Sequence, residues 1–60
     1  MLQVVSASDL RKDDYLVLGA FEYEMVDVST HLANSVWVEL RGGLDRSFKH
    51  GEPVVVRRCA

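Results

Sequence analysis

Isoleucine is missing from this 60-residue chain, and cysteine and proline occur once each. A single thiol, Cys59, excludes an internal disulfide and therefore a stapled secreted scaffold. It also leaves no cysteine cluster of the kind that holds zinc. No apolar run approaches the roughly 20 residues of a membrane-spanning helix. Met1-Leu2-Gln3-Val4-Val5 is too short for a signal-peptide core and lacks a basic flank. These absences predict a cytoplasmic chain with no membrane partner. Internal repeats and low-complexity tracts are absent too.

What is present is a globular composition, with 48% hydrophobic and 27% charged residues. Valine leads with 10 residues, ahead of 7 leucines and 4 alanines, and a branched Cβ suits a pleated strand better than a helix. A chain of this mass hides about 5,900 Å² on folding. With about 60% of that area apolar, burial contributes about 90 kcal/mol at about 25 cal/mol/Å². Ordering the backbone and side chains costs about the same, at about 1.5 kcal/mol per residue. One small domain over residues 1–60 is the expectation. A deep reaction chamber is not, and self-association is a common support for a core this thin.

The net charge of −2 is unevenly spread. Residues 1–30 set Arg11 and Lys12 against Asp9, Asp13, Asp14, Glu22, Glu24 and Asp27, a net −4. Residues 31–60 set Arg41, Arg46, Lys49, Arg57 and Arg58 against Glu39, Asp45 and Glu52, a net +2. The basic half is the candidate surface for a polyanion, while the overall acidity disfavours non-specific DNA binding.

Along the chain, Leu2–Val5 reads as a short strand. Ser6 to Arg11 reads as a loop with at most one helical turn, from which Leu10 plugs the core. Tyr15–Leu18 is a strand and Gly19-Ala20 a turn. From Phe21 to Val28 apolar and acidic residues alternate, but the phase flips at Met25-Val26, which predicts a bulge or sharp bend. Ser29 to Asn34 is a polar loop. Val36–Arg41 alternates again, with Val36, Val38 and Leu40 on one face and Trp37, Glu39 and Arg41 on the other. Gly42-Gly43 predicts a two-residue hairpin turn into Leu44–Phe48. Val54–Arg58, with Pro53 at its start, closes the domain as an edge or sealing strand. Five or six short strands without a long helix predict an all-β fold, a small antiparallel barrel.

The stretch Ala7-Ser8-Asp9-Leu10-Arg11-Lys12-Asp13-Asp14-Tyr15-Leu16-Val17-Leu18 resembles the opening of SH3-like barrels of the KOW type. The N-terminal domain of elongation factor P opens similarly, and Tyr23–Ser29 looks like its next strand. Phe48 through Arg58 is similar to the end of short, uncharacterised barrel proteins of actinobacteria and their phages. The resemblance implies an SH3-like barrel. The translation factor places a modified lysine between the middle strands, and the corresponding loop here, Ser29 to Asn34, has no lysine. Only the fold is implied, not that activity.

Candidate chemistry is sparse. His31 and His50 lie in loops without metal-ligand spacing, even counting Glu52 and Cys59, and read as solvated. Asp13-Asp14 reads as turn chemistry, since adjacent side chains on a turn diverge. No serine has a nucleophile-elbow context, and Gly42-Gly43 precedes no helix that would cradle phosphate. No catalytic residue, cofactor site or metal site is expected.

Trp37 has two readings. It either faces outward, where Phe21, Tyr23 or Phe48 would join it in an aromatic patch, or it fills the core under a lid of Val36 and Val38. Arg41, Arg46, Lys49, Arg57 and Arg58 either gather into a basic face or pair with acids across strands. The expectation is a non-enzymatic bacterial or phage binding module. It would contact a protein partner or another copy of itself through Trp37, Phe21, Tyr23 and those five cations. The alternative is a KOW-like RNA- or DNA-binding domain.

Overall fold

The structure is a computed structural model that describes residues 1–58. Cys59, the one candidate thiol, lies outside the described residues. Six antiparallel strands form one all-β sheet: β1 (Leu2–Ser6), β2 (Tyr15–Leu18), β3 (Phe21–Ser29), β4 (Val36–Leu40), β5 (Leu44–Phe48) and β6 (Pro53–Arg57). Their spatial order is β1-β6-β2-β3-β4-β5. A lone 3₁₀ turn at Ala7–Asp9 is the only helical element described. Ser6 caps it by accepting from the Ser8 amide at 3.3 Å, and it delivers Ala7 and Leu10 to the core. No described helix is long and apolar enough to cross a membrane.

The long strand β3 turns the sheet over on itself. Its first residues, Phe21–Glu24, pair with β2, and from Met25 onward it pairs with β4. The register slips between Met25 and Asp27, leaving Val26 as the extra residue of a bulge. A bulge bends a strand and switches which alternate residues face inward. Before it, Tyr23 and Met25 face the core; after it, Val28 does and Asp27 is exposed. The predicted phase flip is thus the corner of the fold. Leu16, Met25, Val36, Val38, Leu40, Val54 and Val56 meet across that corner, all within a few per cent of full burial.

Glycine at positive φ shapes three turns, at Gly19, at Gly42-Gly43 and at Gly51. Leu18 pairs with Phe21 across Gly19-Ala20, where only Gly19 has positive φ (+61°), as a type II′ turn requires. The β4–β5 connection differs from the expected two-residue turn. Leu40 pairs with Leu44, so three residues, Arg41, Gly42 and Gly43, make the loop. Arg41 is drawn back to β3, donating its amide to Glu24 O at 2.9 Å, which denies it a partner on β5.

β6 is neither an edge nor a seal. It lies between β1 and β2, with Val54 and Val56 buried and Val55 facing out. Pro53 opposes Ser6 at the first position, where its missing N–H costs least. The ladder therefore begins at β1 and ends at β5, and each of these strands has one partner. The curled sheet keeps two edges.

Candidate interaction surface

Charge is settled first, because it decides what remains at the surface. Among the described residues, three ion pairs join the acidic first half to the basic second half. Arg57 grips Glu22 through two bonds of 2.8 Å, and Arg41 grips Glu24 at 3.0 and 3.2 Å. Arg58 grips Asp14 through two bonds of 2.8 Å and also donates to Asp9 O at 3.2 Å. Hydrogen bonds from these guanidiniums hold all three carboxyls below their ordinary values. The uneven charge along the sequence is thus largely cancelled by folding: three of the five candidate cations are held in ion pairs, and a fourth, Arg46, donates to Asp45 O at 3.0 Å. The acids in the ion pairs are not the neighbours Glu39, Asp45 and Glu52, which lie closer in sequence.

The Asp14–Arg58 pair differs from the other two. The Asp14 side chain is only 2% exposed and that of Arg58 16%. Asp14 Oδ2 also accepts from the Arg11 amide at 3.1 Å, and the backbone O of Asp14 accepts from the Met25 amide. This carboxylate is a buried tie between the turn before β2 and the end of β6, not a solvated turn residue. Sequence spacing of 44 residues hid the partner. Arg58, expected at a partner surface, is turned inward instead.

The aromatic residues do not assemble as a patch. Trp37 stands half-buried on the outer face of β4, between Ser29 on β3 and Ser47 on β5. Tyr23 and Phe48 pack against the core on the opposite face. Phe21 is 67% exposed but lies at the far end of β3, opposite Leu18. Beside Trp37, Asp27, Glu39 and Asp45 form a row across three strands, all exposed. Arg46 is opposite Val38 rather than next to Arg41, and Lys49 sits in the following turn, where its amide donates to Glu52 Oε1. The five cations therefore share no face.

His50 is not merely solvated. Its Nε2 lies 2.7 Å from Leu32 O and its Nδ1 3.2 Å from Ser8 Oγ, so one ring links three loops. His31 is exposed. No group of three or more His, Cys, Asp or Glu side chains among the described residues converges on a metal position.

The feature that sequence reading passed over is β1. Ala7 donates to Glu52 O at 2.8 Å, and Met1 O accepts from the Arg58 amide at 3.2 Å. In an antiparallel ladder bonded pairs alternate, so Gln3 and Val5 turn their backbone groups toward β6. Leu2, Val4 and Ser6 turn theirs away, to the open edge. The side chains of Leu2 and Val4 are 53% and 68% exposed, and Val55, opposite Val4, is 40% exposed. An apolar stripe thus runs across β6 and β1 to an edge with no charged side chain from residue 1 to residue 8. The alternation Leu2/Val4 against Gln3/Val5 was its signal, but two-sided apolar character reads as a central strand. Comparison with protein-family models, curated proteins and solved structures returns no match.

Proposed function

We propose that this chain is a non-enzymatic protein-interaction module that takes a partner's strand onto the open edge of β1. The observation that carries the reading is the outward set of Leu2 and Val4, whose backbone groups and side chains are both presented to solvent. Strand addition draws affinity from backbone hydrogen bonds and specificity from alternate side chains. Natural sheets guard edges with lysine, proline or bulges, and β1 has none of these. The engaged state of Arg41, Arg57 and Arg58 favours this reading over nucleic-acid binding.

The test is an NMR titration of the 60-residue chain with two probes. One is a synthetic Thr-Val-Thr-Val-Thr peptide; the other is a single-stranded oligonucleotide at low salt. The peptide is expected to shift the Leu2 and Val4 amides. Shifts at Arg46 and Lys49 with the oligonucleotide, and none with the peptide, would overturn the reading in favour of a nucleic-acid partner, which weakens steeply with salt.

A further inference from the structure

We infer that the occupant of the β1 edge is a second copy of this chain, an inference that rests on the edge reading above. In a two-fold antiparallel register centred on Val4, Val4 faces Val4 of the second copy and Leu2 faces Ser6. Every outward backbone group on each strand then meets an outward group on the other. A register centred on Gln3 would leave Ser6 without a counterpart.

The side chains agree with the backbone. On the outer face the stripe Val55–Val4 continues into the same stripe of the second copy, burying side chains that the single chain leaves wet. The other face sets Gln3 beside Val5. No charged side chain lies within residues 1–8, so like charges do not meet at the axis. A heterologous partner would have to supply an uncharged strand with apolar residues on alternate positions; β1 itself is such a strand.

The symmetry also closes the assembly. An isologous contact uses the same edge on both copies and leaves the two β5 edges outermost. Those carry Asp45 and Arg46, which oppose further strand addition. A dimer with a continuous twelve-stranded sheet, twice the six strands of one chain, follows rather than a fibre.

One strand pair is a small interface, so association is expected in the micromolar range or weaker. Sedimentation equilibrium from about 1 μM to about 1 mM spans that range. The mass is expected to rise from the 6.8 kDa of one chain toward twice that value. Val4→Lys alters an exposed side chain, so the circular dichroism should persist while association weakens by at least about tenfold. A synthetic chain N-methylated at the Val4 amide loses only an edge donor and should also stay monomeric, which separates strand pairing from general stickiness. Dimerisation undiminished in both variants would overturn the inference and place the interface elsewhere. A monomer at every concentration would also overturn it. In that case, peptide-induced shifts at Leu2 and Val4 would leave the edge reading standing with a different partner, and their absence would remove both.

Discussion

The two edges of this sheet are built to opposite rules. Both β1 and β5 are five residues long and each has one neighbour. Yet β5 reads Leu44-Asp45-Arg46-Ser47-Phe48, with an anion on its outer face and a cation on its inner one. Asp45 also stands opposite Glu39, itself opposite Asp27, and like charges across strands repel. An approaching strand meets charge whichever way it faces. β1 has valine, leucine and glutamine and no such guard. One edge is guarded and the other is bare, and the proposed pairing rests on that contrast.

The comparison can be broken most severely from beneath. β1 hangs on β6, and β6 is tied at its end by Asp14. Asp14→Ala strands the half-buried Arg58 and leaves the Arg11 amide without its acceptor, so it is expected to lower the urea-unfolding midpoint more than any other substitution in this series. For so small a domain that removes much of the stability, and the β1 edge with it.

Next in size is a pH effect. Arg58 lowers the Asp14 pKa in the folded chain, so the pair's contribution is complete above the ordinary carboxylate value of 3.8 and is lost as pH falls through the folded value. Arg58→Met removes the largest cause of that lowering and leaves burial opposed only by the Arg11 amide and charge, so the Asp14 pKa rises relative to the parent chain and less stability is lost on acidification. Melting temperatures of the two chains at about pH 7 and about pH 2, on either side of the ordinary carboxylate value, should converge on acidification. Parallel falls in both chains would show that the pair is not what holds β6.

A smaller effect comes from exchanging the guards. Asp45→Ser with Arg46→Val strips β5 and should add concentration-dependent species larger than a dimer, visible by light scattering. No new species would mean that charge is not what distinguishes the edges. The smallest effect belongs to Arg41→Gln and Arg57→Gln. Their ion pairs are exposed, so unfolding midpoints should move little and the difference should shrink in high salt.

Much of the architecture was legible in the residues. Strict alternation set Val36, Val38 and Leu40 on one face of β4 and Trp37 and Glu39 on the other, because side-chain period and strand pleat are the same thing; which face was inward stayed open until the structure buried the valines. The phase flip at Met25-Val26 located the corner, and Leu10 reaches the core from its loop as expected. What stayed hidden was non-local. That Glu22, Glu24 and Asp14 would find Arg57, Arg41 and Arg58 depends on β6 sliding between β1 and β2, which no local pattern encodes. The same misplacement disguised the candidate surface. With β6 read as an edge or sealing strand, Leu2 and Val4 had no reason to be the exposed pair. The expected patch around Trp37 failed for a local reason, since the bulge leaves Tyr23 on the core side and Ser29 beside the indole.

Amide hydrogen exchange along β1, followed with chain concentration, probes the bare edge most directly. In dilute solution the Leu2 and Val4 amides should exchange fast and those of Gln3 and Val5 slowly, in strict alternation. As concentration rises toward about 1 mM, Leu2 and Val4 should become protected while their neighbours change little. Protection of all four amides alike in dilute solution, or fast exchange at Leu2 and Val4 at every concentration, would contradict the account.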